Sequence, residues 1–335
     1  MVLTFRTVMS MSDKLSFASL FETLKSCNHI YLTLSVFSMC AYIGFKGAAI
    51  NLLLRTFSYP RRYGETLLYS AADTYFSAVT PSASGGQPAA MYFMHKNGIP
   101  TATATVTLLV NLILVTMSTL LTGVAAFAMH TDLYMRLDLL PRIFIIGGMV
   151  LLVLLISGIL LLLKEGEIIY RFGKTVIRLL VRIHILRNQD RWASRLRRII
   201  DQYKECVQMT HGRGKMLVLV YLMGLGHKFT QITTTMLVHL ALGGDPALCT
   251  HVWASTSFAQ LGSGCFPMPG GMGIVDYLLL QFFTMLMPYE KAIELELISR
   301  SVACYLCMIL SGLGTLTGYL VYRFSKKDRE KTGVA

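Results

Sequence analysis

Three uncharged apolar runs constrain the fold of this chain more than any other feature. They cover Thr101–Met129, Ile143–Leu163 and Ser301–Tyr322, and none contains Asp, Glu, Lys or Arg. A helix needs about 20 apolar residues to cross the hydrocarbon core of a bilayer. The whole chain of 335 residues is 54% hydrophobic and only 15% charged, whereas soluble domains carry about a quarter charged residues. We therefore predict an all-α polytopic membrane protein.

The net charge of +13 does not indicate nucleic-acid binding, because the basic residues lie between and beside the apolar runs, as expected for cytoplasmic loops. Segment 164–215 is the most basic, with 13 Lys or Arg against 5 Asp or Glu. Its apolar residues recur at helical spacing, which predicts a cytoplasmic insert of amphipathic helices. It is either an ordinary positive-inside loop, which we favour, or a platform for anionic lipid head groups.

Two stretches rich in Pro and Gly interrupt the apolar pattern, "TPSASGGQPAAMYFMHKNGIP" at Thr80–Pro100 and "GSGCFPMPGGMGIVDYL" at Gly262–Leu278. If all the basic segments lie on the cytoplasmic side, an even number of membrane crossings must separate each from the next. This condition is met only if 65–96 and 246–289 are re-entrant hairpins, which return to the side from which they enter. These hairpins would enter from opposite sides. The sequence therefore predicts an inverted repeat of span, hairpin and span, which is a transporter architecture.

This topology divides the chain into five segments. We expect an N-terminal interfacial segment or truncated first span, a first transmembrane half, a basic linker, a second transmembrane half and a cytoplasmic tail. Their predicted bounds are 1–27, 28–163, 164–215, 216–325 and 326–335.

The hairpin tips are the predicted binding elements, because irregular backbone at membrane depth is tolerated only against protein or a water-filled cavity. A helix follows each tip, and its free N–H groups attract phosphate. Glycine lets a ligand approach the main chain closely. The candidate tip residues are Ser82, Ser84, Gly85, Gly86, Gln87, Gly270 and Gly271. The alternative is that both stretches are simple kinks in packed helices.

Ionisable residues within membrane segments are functional candidates by default. The candidates are Asp73, Asp276, His227 and Lys228. A carboxylate near a tip would hold a cationic head group, although Asp276 has two structural alternatives, as a helix-start charge or as the partner of Lys228. We expect Arg300 to be an interfacial anchor and Lys46 to extend towards the inner membrane face. No catalytic, metal or cofactor site is predicted.

The segments "FSAVTPSASGGQPAAMYFMHKNGIP" and "PMPGGMGIVDYLLL" resemble the transmembrane domain of the lysylphosphatidylglycerol synthase/flippase family (multiple peptide resistance factor). The resemblance covers roughly 28–325. It implies a multi-pass protein of the bacterial cytoplasmic membrane that moves aminoacylated phosphatidylglycerol to the outer leaflet. It also implies resistance to cationic antimicrobial peptides.

Four departures from the family pattern bear on function. Many relatives have an acidic residue and then an arginine after the first Gly-Gly, where this chain has Gln87 and Pro88, and many have Glu at Asp276. Relatives also usually begin with one more membrane span. The chain ends soon after its last span, so we expect no acyltransferase domain and no enzyme activity, although the family-level label is phosphatidylglycerol lysyltransferase.

The sequence therefore predicts a phospholipid flippase whose tips bind the phosphodiester. Three alternatives stay open: a membrane transferase acting on lipid-linked substrates, a small-solute transporter, and a subunit that docks a separate synthase through 164–215. The expected partners are phosphatidylglycerol or its lysyl ester and the membrane, with a second copy of the chain or a separate synthase as protein partners.

Overall fold

The structure, a computed structural model, describes residues 25–80, 83–164, 208, 212–265 and 273–331. Its regular secondary structure within these ranges is helical, which confirms the all-α class. The α-helices are α1 (His29–Thr56), α2 (Tyr63–Val79), α3 (Gly86–Lys96), α4 (Thr101–Arg136), α5 (Leu139–Lys164), α6 (Gly214–Ala241), α7 (Cys249–Gly262), α8 (Ile274–Leu286), α9 (Tyr289–Arg300) and α10 (Cys307–Lys331). A π-helix, Ser301–Leu306, joins α9 to α10.

Four stretches of the described helices are long and apolar enough to cross a membrane. They are His29–Thr56, Thr101–Arg136, Leu139–Leu161 and the continuous Tyr289–Val321. This confirms the polytopic membrane class. Helix α6 has 28 residues but carries His227, Lys228 and Gln231 in its middle, so it is less apolar than these four. That this helix spans the membrane, as the predicted second transmembrane half 216–325 requires, therefore stays a prediction.

The helices pack through small residues, as is usual in membrane proteins. Helix α1 packs along α6, α4 packs against α7, and α10 packs against α2. A Cβ added at Gly47 would lie 3.3 Å from the Cα of Leu67, and one added at Gly318 would lie 2.9 Å from Leu68 Cδ1. These glycines let α1 and α10 approach α2 from two sides.

Helices α2 and α3 form one packed pair, and α7 and α8 form another. The first break begins at Thr80, whose backbone is extended (φ −97°, ψ 142°). The second break ends at Gly273, whose φ of 90° is rarely adopted by residues with a Cβ. Each broken stretch thus separates the two helices of one packed pair. Whether each pair returns to the side from which it entered stays a prediction.

Helix α5 crosses the end of α7 at very short range. A Cβ added at Gly148 would lie 2.0 Å from the carbonyl oxygen of Leu261. Most other large side chains of α5 are exposed, for example Val150, Leu154 and Leu161, as expected for a helix that faces lipid. Helix α5 therefore packs on the second helix pair with one face and leaves its other face exposed.

Candidate functional site

A cavity of about 260 Å³ lies between α2 of the first helix pair and α7 and α8 of the second. Helix α2 contributes Ser77 to its wall, α7 contributes Gln260, and α8 contributes Val275. Helices α1, α6, α9 and α10 and the π-helix complete the lining. Side chains from both predicted halves, and from both helix pairs, therefore converge on one cavity.

The first charged element of the cavity wall is an ion pair between α1 and α2. Lys46 Nζ lies 2.7 Å from Asp73 Oδ2, and the two side chains are only 13% and 9% exposed. Ser77 Oγ donates a hydrogen bond to Asp73 Oδ1 at 3.4 Å. Lys46 lines the cavity, so Asp73 holds an ammonium group at the cavity wall.

The first tip packs tightly against this pair. A Cβ added at Gly86 would lie 2.0 Å from Ser77 Oγ, 2.2 Å from Asp73 Oδ1 and 2.5 Å from the Asp73 carbonyl oxygen. Gly86 is the first residue of α3, where a carboxylate is favourable because the helix N-terminus carries partial positive charge. Thr80 Oγ1 also accepts a hydrogen bond from the Gly85 N–H at 2.9 Å. In this structure the tip therefore contacts the protein's own polar groups.

The second charged element joins α8 to α9. Asp276 Oδ1 lies 2.5 Å from Arg300 Nε, and each side chain is 13% exposed. The other carboxylate oxygen of Asp276 accepts a hydrogen bond from the Gly273 N–H at 2.8 Å. Asp276 is therefore a helix-start charge and also the partner of Arg300. The alternative partner Lys228 instead donates to Gln231 Oε1 at 3.0 Å.

A third carboxylate lies beside the second pair. Glu296 is one helical turn before Arg300, is only 2% exposed and interacts electrostatically with Asp276 and Arg300. Its Oε2 atom has no hydrogen-bond partner among the described residues. The π-helix begins directly after Arg300, and π-helical turns are frequent at functional sites.

His227 and Lys228 lie behind the cavity wall. The His227 ring stacks on Tyr42 with a centroid separation of 3.9 Å, and its Nδ1 bonds the Tyr42 carbonyl oxygen at 2.8 Å. That carbonyl can only accept, so Nδ1 carries the proton. Tyr42 and Gln231 line the cavity, so His227 and Lys228 position lining residues.

The predicted tip residues fall into three groups. Gly86 lies against α2, next to the first ion pair, and Gly85 lies against Thr80. Ser84 and Gln87 are not among the residues that line the cavity. Ser82, Gly270 and Gly271 lie outside the described residues.

Lys46, Arg300 and Glu296 are the charged residues that the sequence analysis did not assign to the site. We expected Arg300 to be an interfacial anchor and Lys46 to extend towards the inner membrane face. Both expectations are wrong, because both side chains are buried and paired with carboxylates. The position of Lys46 within the apolar stretch of α1 was the available indication for that residue.

The profile of the family described as "Lysylphosphatidylglycerol synthase TM region" matches residues 2–311. The chain belongs to this family. No curated protein and no solved structure shows a significant match to it. The family and the apolar helices together give a membrane protein with a lipid-related role.

Proposed function

We propose that the chain is a phospholipid flippase of the bacterial cytoplasmic membrane and that the cavity between the helix pairs binds the lipid head group. One observation carries the proposal: Lys46 and Arg300 line the same cavity, and each is held by a carboxylate of its own half of the chain. Charged residues at such positions mark substrate pathways.

The chemical group of a lipid head that best fits these lining residues is a phosphodiester. Lysine and arginine are the common phosphate-binding side chains, with arginine offering a planar set of donors. Hydroxyl and amide groups from Ser77, Gln231 and Gln260 lie on the same wall and suit the hydroxyl groups of a glycerol. A cavity of about 260 Å³ is near the lower end of ligand pockets, which hold roughly 300–1,000 Å³. It has room for a head group, while the acyl chains stay in the bilayer.

The helix contacts support alternating access by two related halves. Suppose that α1 corresponds to α6, α2 to α7 and α4 to α10. The repeat then makes the contact of α4 with α7 equivalent to the contact of α10 with α2, and the exchange of the two halves converts one into the other. The contact of α1 with α6 exchanges with itself. Inverted repeats show this kind of exchange, and transporters bind their substrates at the interface between the repeats.

The cargo that the family description suggests is lysylphosphatidylglycerol, and its parent phosphatidylglycerol shares the phosphodiester and the glycerol. We propose transport without lipid modification. Resistance to cationic antimicrobial peptides follows only for the lysyl ester, which adds positive charge to the outer leaflet.

The test is lipid exposure in proteoliposomes that contain the purified chain. A membrane-impermeant amine reagent reports lysylphosphatidylglycerol in the accessible leaflet, and periodate, which cleaves the vicinal diol, reports phosphatidylglycerol. We expect the chain to accelerate exposure of at least one of these lipids, and Lys46→Gln and Arg300→Gln to remove the acceleration.

Matched controls come from exposed cations of the same chain. Lys215 and Lys291 are exposed, and Lys291 lies on the same helix as Arg300, so Lys215→Gln and Lys291→Gln should retain transport. Equal loss in cavity and control variants would contradict a role for the cavity. No acceleration of either lipid by the wild-type chain would contradict the proposed function.

A further inference from the structure

We infer that the cavity selects an anionic head group with uncharged polar substituents, so that its cargo is phosphatidylglycerol-like and not the cationic lysyl ester. This inference rests on the proposed function and adds the charge class of the substrate. It depends on which charges face the cavity and which lie behind its wall.

The residues that line the cavity include two cations and no carboxylate among the described residues. The other polar lining residues are neutral, for example Ser77, Gln231, Thr256, Gln260 and Ser299. The tip segments outside the described residues, 81–82 and 266–272, contain neither Asp nor Glu. An ammonium group in the cavity would thus meet two cations, while a phosphate would meet two attractive charges.

The three nearby carboxylates are already engaged or recessed. Asp73 contacts Lys46 on the side of α2. Asp276 uses one oxygen for Arg300 and the other for the Gly273 N–H. Glu296 is 2% exposed. None of the three belongs to the lining, so the charged groups that face the cavity are the two cations, and the carboxylates that pair with them lie outside the lining.

Phosphatidylglycerol matches this wall group by group. Its single negative charge is the phosphodiester, and the rest of its head group is a glycerol with two hydroxyl groups. Hydroxyl and amide side chains can donate to and accept from such hydroxyls. The lysyl ester adds two ammonium groups. Because like-charge contacts in a poorly solvated site are strongly unfavourable, we expect exposure of phosphatidylglycerol to be accelerated about tenfold or more relative to the lysyl ester.

Two glutamines on the wall provide a charge-reversal test. Gln260→Glu keeps side-chain size and places a carboxylate in the lining. Gln231→Glu also adds a lining carboxylate, but Lys228 Nζ lies 3.0 Å from the side-chain oxygen at this position and would neutralise the new charge. We expect Gln260→Glu to raise transport of the lysyl ester relative to phosphatidylglycerol, and Gln231→Glu to change the ratio much less.

The experiment measures both lipids in proteoliposomes of one composition, with the amine reagent and with periodate. Preferential exposure of phosphatidylglycerol by the wild-type chain, with a reduced preference in Gln260→Glu, is the expected result. Lysyl ester exposed as fast as phosphatidylglycerol, or faster, would overturn the inference and leave the proposed function intact. If neither lipid moves, the proposed function fails and this inference fails with it. Should Gln260→Glu not fold, the wild-type ratio alone still decides.

Discussion

Replacement of Asp276 by Asn tests how the second charged element is held together. Asn keeps a side-chain carbonyl that can accept the Gly273 N–H, which Asp276 now accepts at 2.8 Å, so the start of α8 is preserved. The change removes the negative charge that lies 2.5 Å from Arg300 Nε and replaces that oxygen with an amide nitrogen, which cannot accept a hydrogen bond from Arg300. Both side chains are 13% exposed, so water can replace little of the lost interaction.

The expected magnitude depends on Glu296. Loss of one partner from a buried ion pair typically costs about 3–5 kcal/mol, because the other charge stays buried without compensation. Glu296 interacts with the same guanidinium group, and a hydrogen bond to a charged group contributes about 1.5–3 kcal/mol. We therefore expect Asp276→Asn to lower the free energy of unfolding by about 2 kcal/mol and Glu296→Gln by about 1 kcal/mol, with the double variant losing about 4–5 kcal/mol.

The assay is a double-mutant cycle on the purified chain in detergent micelles. Unfolding is followed by the loss of helical circular dichroism during titration with a denaturing detergent. Glu294→Gln, on the same helix but not buried, is the matched control and should change the free energy of unfolding by less than about 0.5 kcal/mol. Losses that add within about 0.5 kcal/mol would refute the reasoning, because additivity means that Glu296 does not substitute for Asp276.

Three further substitutions test the close approaches around the site. Gly148→Ala should lower the melting temperature, because its Cβ would lie 2.0 Å from the Leu261 carbonyl oxygen. The control Gly158→Ala has open space around its Cβ and should raise the free energy of unfolding by about 0.5–1 kcal/mol through helix propensity. Equal melting temperatures of the two variants would contradict this packing. Gly86→Ala should destabilise the chain by about 1–3 kcal/mol or more and abolish lipid exposure, so retained transport would exclude the close contact of the first tip with α2. Thr80→Val removes the acceptor of the Gly85 N–H and should cost about 1 kcal/mol in chemical denaturation, with Thr80→Ser as the control that retains the hydroxyl.

The fold class could be predicted because hydropathy along the chain is a one-dimensional property. Runs such as Thr101–Met129 and Ile143–Leu163 have no charge, and a bilayer leaves such runs few structures other than a helix. The π-helix at Ser301–Leu306 could not be predicted in this way, because it differs from an α-helix in hydrogen bonding and not in composition.

The site was predicted in part, and the missing part has a physical reason. Asp73 and Asp276 were assigned because they lie beside broken stretches, but their partners Lys46 and Arg300 were assigned to the membrane interface. The two partners lie on different helices from the carboxylates, and hydropathy does not give contacts between helices. The position of Lys46 along α1 did indicate that its side chain lies at membrane depth. Lys46 precedes the end of α1 by about ten residues, or ~15 Å at the helical rise per residue. That distance is half the thickness of a hydrocarbon core and is too long for a lysine side chain to reach water.

Each of the two buried ion pairs at the cavity lies within a single half of the chain. This arrangement bears on how the two halves move relative to each other. Lys46 pairs with Asp73 in the first half, and Arg300 pairs with Asp276 in the second. A hydrogen bond that crosses between the halves is uncharged, since Ser38 Oγ donates to the Thr230 carbonyl at 2.9 Å. Separation of buried opposite charges is costly, whereas exchange of a neutral hydrogen bond for one to water or to a lipid head group costs little. In the proposed flippase, relative motion of the halves would therefore expose the cavity to either side by alternating access, while each cation keeps its own carboxylate.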